Sequence, residues 1–222
     1  MSSLPTHHTE SETLMAYAAG ALEEAPSVLV ATHLALCPEC RRTLHEYEAI
    51  GGALIDQLEP APVSPEALNT ALGLLEAAEL EPAQPPATAV DAETTRIVPR
   101  PLRDYLGGDL TALPWKSRGR GIKEASLLIG DGSMRASVYR IEPGERIPAH
   151  THDGVETTLV LKGAFSDKTG RYARGDVAVA TDELDHTPVS DASEECICFA
   201  VIDGSLKLTG PFGRILNLFV RL

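Results

Sequence analysis

The spacing of apolar residues changes character once along this chain, and that change divides what it can fold into. Across residues 11–80 apolar side chains recur at helical intervals, beginning with Leu14, Met15, Ala18 and Ala19 and stopping at Gly20. Residues 28–36 read as a second helix. Pro38 is placed to open a third at its first turn, and Pro65 a fourth with Leu68, Leu72 and Leu75 on one face. Beyond residue 101 the pattern becomes short alternating runs, at 137–141, 157–161, 177–180 and 197–202, separated by Gly, Asp and Pro turns. Between the two patterns, Pro82, Pro85, Pro86, Pro99 and Pro101 stand among alanines and scattered charges, the composition of an extended linker. The sequence therefore predicts α + β in separate domains: four helices over 1–80, a linker over 81–101, and an all-β domain over 102–222. Evenly spaced short strands favour a barrel or jelly roll. At 222 residues the chain is long enough for two such cores.

The net charge of −13 argues against a direct nucleic-acid binder, because affinity for phosphate backbones comes largely from Lys and Arg. Residues 1–80 carry twelve Asp and Glu against Arg41 and Arg42, a balance of −10. Such a surface suits a basic protein partner, or serves solubility alone. No apolar run approaches the roughly 20 residues a membrane helix needs, and residues 1–10 lack the basic and apolar regions of a secretory signal. A cytoplasmic location is expected. In a reducing compartment the two close cysteine pairs, Cys37 with Cys40 and Cys196 with Cys198, point to metal or redox chemistry rather than disulfides.

His33, Cys37 and Cys40 form H-x3-C-x2-C. The i, i+4 interval sets the imidazole and the first thiol on one helix face, and Pro38 makes a knuckle that turns both sulfurs toward one ion. Structural zinc takes four N and S donors, and His8 supplies the last by bringing the N-terminus across the hairpin; the adjacent His7 is the alternative. A redox role for Cys37-Pro38-Glu39-Cys40 wants a βαβ context, and the surroundings are helical.

In the second half, His150 and His152 project from one face of a strand, Glu156 joins them from the next extended stretch, and His186 is a fourth donor. Three imidazoles and a carboxylate suit zinc, manganese, iron, nickel or copper, so the ligand set does not name the metal. Cys196 and Cys198 share a strand face. They read either as small buried residues or as a thiol pair that responds to oxidant.

His8 followed by His33-x3-Cys37-x2-Cys40 in four short acidic helices resembles the zinc-binding anti-sigma domain that holds extracytoplasmic-function sigma factors inactive. The intervals Gly144-x5-His150-x-His152-x3-Glu156-x6-Gly163, with Gly175 and His186 beyond, are similar to the two motifs of the cupin family. The second motif departs from it at Thr181, Glu183 and Ser190. The combination resembles the anti-sigma factors of a photooxidative-stress response. That resemblance implies a sigma factor as partner, inhibition by the first domain, and sensing of singlet oxygen or related oxidative stress by the second. It implies no catalytic residue, and it is compatible with a cupin-mediated dimer. The competing expectation is an enzyme of the dioxygenase or isomerase class fused to a zinc interaction domain, since open cupin sites also run such chemistry.

Overall fold

The computed structural model describes residues 4–77 and 90–209, with backbone alone at Ala77, His152 and residues 205–208. The first helix, α1 (Ser11–Ala18), ends in a left-handed turn at Gly20, whose φ is +66°. The Gly20 and Ala21 amides donate to the Tyr17 and Ala16 carbonyls, so the helix stops where glycine makes that turn inexpensive. Two further helices follow, α2 (Glu24–Leu36) and α3 (Pro38–Asp56), then α4 (Ala67–Ala77). Cys37 separates α2 from α3 at φ −112° and ψ 103°, the extended geometry forced on a residue that precedes proline.

Helix does not end at the expected boundary. From Asp91, which caps by accepting the Thr94 amide at 2.6 Å, the chain forms α5 (Ala92–Ile97) and α6 (Arg100–Arg103). The structure thus has six α-helices among the described residues, four of them before residue 81. Ile97, Val98 and Leu102 are buried, so 92–103 packs even though its prolines suggest a linker. Arg174 fastens this stretch by donating to the Arg96, Ile97 and Leu161 carbonyls. The remaining linker residues, 81–89, lie outside the described residues.

The strands are β1 (Lys116–Gly119), β2 (Ile122–Leu127), β3 (Arg135–Ile141), β4 (His150–Asp153), β5 (Glu156–Lys162) and β6 (Ala164–Ser166). They continue as β7 (Arg171–Ala173), β8 (Val177–Ala180), β9 (Val189–Ser190), β10 (Cys196–Ile202) and β11 (Ser205–Leu208). They form a six-stranded sheet in the order β1-β2-β3-β10-β5-β8, a β7-β6-β9 sheet and a β11-β4 pair, all antiparallel. Among the described residues these strands do not close into one continuous barrel sheet. Strands of two to four residues opposite the large sheet are too short to pair continuously with its edges, and the isolated bridges of Arg146 with Val189 and His150 with His186 supplement their pairing.

Every residue of β10 is buried, and its alternation defines two cores. Ile197, Phe199 and Val201 face outward and pack with Ala25, Val28 and Leu29 of α2 and with Leu102 and Leu110. Cys196 and Cys198 face inward with Ile141, Val160, Phe165 and Tyr172. The other side of α2 packs differently: Val30, Leu34 and Cys37 join Leu14, Cys40 and Leu44. Helix α2 is shared between the helical core and the sheet, which fixes the N-terminal cysteines against the β part.

Candidate metal centres

Cys37 is at once the C-cap of α2 and the N-cap of α3, its Sγ accepting the Cys40 amide at 3.4 Å. Pro38 at the first helical position lacks an N–H to satisfy, so the knuckle is stable in the geometry that brings both thiols to one side. His33, one turn earlier and fully buried, places Nε2 3.2 Å from Cys40 Sγ. His8 arrives from the N-terminal arm with Nδ1 3.3 Å from Cys37 Sγ and 3.6 Å from Cys40 Sγ. One donor atom from each of His8, His33, Cys37 and Cys40 lies within 4.8 Å of the others. His7 goes elsewhere, onto the ring of Tyr172 with centroids 4.4 Å apart. The structure brings His8, not His7, to the thiols.

These residues fit zinc on two counts. Tetrahedral bonds of about 2.0–2.3 Å set neighbouring N and S ligands roughly 3.3–3.8 Å apart, close to the spacings observed. His33 Nδ1 lies 2.8 Å from the Gly175 carbonyl, which can only accept, so in neutral imidazole Nδ1 carries the proton and Nε2 presents its lone pair to the cluster. Burial lowers the His33 pKa and so favours that neutral form. Burial and the neighbouring Cys37 push the Cys40 thiol up to about 12. A divalent cation offsets this by stabilising the thiolates.

The second cluster is assembled by a backbone bridge. His150 and His186 exchange amide-to-carbonyl hydrogen bonds of 3.1 Å in each direction, which sets their rings 4.5 Å apart with Nε2 atoms 3.1 Å from one another. His150 Nδ1 faces the Pro148 carbonyl at 2.8 Å and His186 Nδ1 faces the Asp167 carboxylate at 2.9 Å, so both Nδ1 atoms are donors. Two imidazole lone pairs aimed at each other at that distance need a proton or a cation between them. Adjacent ligands of an octahedral ion with bonds of about 2.1 Å stand roughly 3 Å apart, which this spacing fits. Glu156, the first residue of β5, completes a three-donor group within 4.8 Å. His152 lies on β4 in register with Leu206, and its side chain is outside the described ones.

Asp167 escapes sequence reasoning because it falls in a polar turn and in no ligand motif. Hydrogen bonds from Thr169 and His186 outweigh its burial and keep it ionised below the usual Asp range. It fixes the ring orientation of His186, the usual task of a carboxylate behind a metal-binding imidazole. At Ser190, where the cupin motif differs, the hydroxyl donates to the Glu142 carbonyl at 2.6 Å and accepts from the Glu145 amide at 3.1 Å, holding β9 in place. A cavity of about 90 Å³ adjoins the cluster, lined largely by apolar side chains including Tyr139, Ile147, Phe165 and Cys198. Cys196 and Cys198 lie with Sγ atoms 3.4 Å apart. The hydrogen bond with Cys196, followed by burial, holds the Cys198 thiol well above its ordinary pKa.

A helical segment with two histidines and two cysteines converging, seated on a cupin-like sheet with a second His and Glu cluster, defines a zinc-finger and cupin fusion. Comparison with known proteins agrees: a zinc-finger family profile matches residues 11–41, and the profile of the ChrR cupin-like domain matches 105–205. Anti-sigma-E factor ChrR of Cereibacter sphaeroides is 39% identical over 216 residues, covering 97% of this chain and 98% of that protein. The crystal structure of Rhodobacter sphaeroides SigE in complex with the anti-sigma ChrR is similar with a TM-score of 0.77 and 39% identity, over 90% of this chain and 100% of that one. The chain belongs to the ChrR family of anti-sigma factors. The zinc-finger match and the donor set support zinc in the helical part, while the second metal is suggested by the cluster of His150, Glu156 and His186. Among the described residues no helix is long and apolar enough to cross a membrane.

Proposed function

We propose that this protein binds and inhibits an extracytoplasmic-function sigma factor in the cytoplasm, and releases it when the cupin-like part senses singlet oxygen or a related oxidative stress. The observation that carries the first half is the apolar face left uncovered by the helices. Ile50, Leu54 and Leu58 recur at helical spacing on and just beyond the end of α3, and Leu68, Leu72 and Leu75 do so on α4. Leu54, Leu58, Leu68 and Leu75 are 61–72% exposed. A stripe of this kind is costly in water and suits an apolar groove on a partner. The relative of known structure was crystallised with its sigma factor, SigE. The acidic balance of residues 1–80 favours a basic partner surface.

Zinc held by His8, His33, Cys37 and Cys40 supplies a cross-link among the arm, α2 and α3. The small core around Leu14, Val30, Leu34 and Leu44 gains stability from that link. A second divalent metal, Zn, Mn, Fe or Ni, is proposed at His150, His152, Glu156 and His186. The domain assignment that follows is 1–80 for inhibition and 102–222 for sensing, with 81–101 between. Cys196 and Cys198 are the proposed redox-responsive pair. A sigma-binding assay with the double variant Leu54→Asp and Leu72→Asp tests the docking face: binding should be lost while zinc content is kept, and unchanged binding would refute it. The cavity beside Glu156 favours a second reading, turnover of a small apolar substrate. A metal-dependent reaction eliminated by Glu156→Gln would establish it.

A further inference from the structure

The N-terminal arm reaches its cluster by way of the sheet. Residues 5–7 lie along the turn that joins β7 to β8, where Thr6 and His7 find partners for their amides and His7 for its carbonyl. The Asp176 carboxylate accepts the Thr6 amide at 2.6 Å and the His7 amide at 2.9 Å through Oδ1, and the Ala173 amide at 2.8 Å through Oδ2. The Val177 amide donates to the His7 carbonyl at 3.1 Å, and His7 Nδ1 stands 3.4 Å from Asp176 Oδ2. The His7 ring lies on Tyr172. Gly175, at φ +92°, lets Pro5 approach so closely that a Cβ there would sit 2.7 Å from the proline Cγ. The carbonyl of the same Gly175 accepts from His33 Nδ1.

Two of the four donors in the helical part are therefore oriented by one turn of the cupin-like sheet. His33 is held directly, and His8 is held through the residues just before it. A chain terminus free of such contacts samples many conformations, and a ligand carried on it is seldom in place. We infer that His7 and the 173–176 turn form a clasp that positions His8 and His33, so that the sheet is a working part of the N-terminal zinc site. His7 and Asp176 are positioning residues that do not touch the metal. The inference rests on the zinc reading of that site.

The test titrates zinc into metal-free full-length protein against a chromophoric chelator. Cobalt(II) in parallel reports thiolate ligation by its charge-transfer absorbance. Asp176→Ala and His7→Ala should each weaken metal binding by about ten- to a hundredfold, the usual cost of losing an outer-shell contact, with the thiolate absorbance at saturation unchanged. His7→Phe keeps the stack on Tyr172 and should restore most of the affinity that His7→Ala loses. The His7 variants alter only the arm, so a folding failure of Asp176→Ala leaves the test intact. Affinities of Asp176→Ala and His7→Ala within about twofold of wild type would overturn the clasp, since outer-shell losses exceed that. Equal losses in His7→Phe and His7→Ala with altered absorbance would place His7 on the metal and overturn it as well. A wild-type protein without thiolate absorbance would instead refute the zinc reading, and the clasp with it.

Discussion

His33 on α2 and Gly175 in the β7–β8 turn, 142 residues apart, are joined by a 2.8 Å hydrogen bond at the boundary between the helical part and the sheet. That bond lies beside the outer core in which Val28 and Leu29 of α2 pack with Phe199 and Leu102. Helix α2 thus gives one face to the helical core and another to the sheet, and the stability of the helical part is tied to that of the sheet.

Leu29→Ala should therefore destabilise the whole molecule, by about 2–5 kcal/mol for a fully buried leucine. Chemical denaturation followed by helical circular dichroism and by Trp115 fluorescence should give one coincident transition. Two separated transitions would show that the parts unfold independently.

Asp167→Ala removes the carboxylate that orients His186 and should lower metal affinity at the cupin-like site by about ten- to a hundredfold. Metal analysis after dialysis against a weak chelator should show the cobalt-thiolate signal of the N-terminal site unchanged and the second metal lost. Loss of both together would mean that Asp167 serves the fold and not the site.

Cys198 should resist alkylation. The hydrogen bond with Cys196 and burial disfavour its thiolate, the reactive form, and its place beside the cavity offers little access. Mass-spectrometric labelling of the native protein at neutral pH should modify Cys198 far more slowly than after denaturation. Rapid native labelling would show that the pair is poised for direct oxidation in the resting state.

Stability of the metal-free protein should fall with acid in two windows. His33 has a pKa lowered by burial, so below its ordinary 6.5 the unfolded chain takes up a proton that the folded one refuses, and stability falls. Glu124, Asp167 and Asp176 are each buried, and hydrogen bonds outweigh that burial to depress them. Their contribution is complete above the ordinary values of 4.5 and 3.8, and it is lost as pH drops through the folded ones. Melting temperature should thus decline below about pH 6.5 and again below about pH 4.5. A flat profile from pH 7 to 4 would contradict the burial of His33 in its neutral form.

Much of the N-terminal site was legible because it is local. His33, Cys37 and Cys40 lie within two turns of adjoining helices, and Pro38 marks the knuckle between them. Four helices in 11–77 follow from apolar period and proline position for the same reason, although α2 starts at Glu24, ahead of the expected residue 28, and α4 at Ala67, after Pro65. The His150 and His186 pairing came from a motif, since no local rule predicts a bridge across 36 residues. Missed were the long-range contacts of Asp167, Gly175 and Asp176, whose partners lie 19, 142 and about 170 residues away. Helix α6 was hidden by Pro99 and Pro101, which sit at its start, where the missing N–H costs nothing. The strand pattern suggested a barrel because alternation reports which face is buried and carries no information on whether sheet edges meet.

In the proposed function, metal holds the helices in the arrangement that meets a sigma factor. The most direct measurement of this is the affinity of full-length wild type, Cys40→Ser and Glu156→Gln for a purified extracytoplasmic-function sigma factor, with zinc content determined on the same samples. Wild type and Glu156→Gln should bind alike, and Cys40→Ser should lose both its N-terminal zinc and its binding. A zinc-free Cys40→Ser protein that holds the sigma factor as tightly as wild type would contradict it.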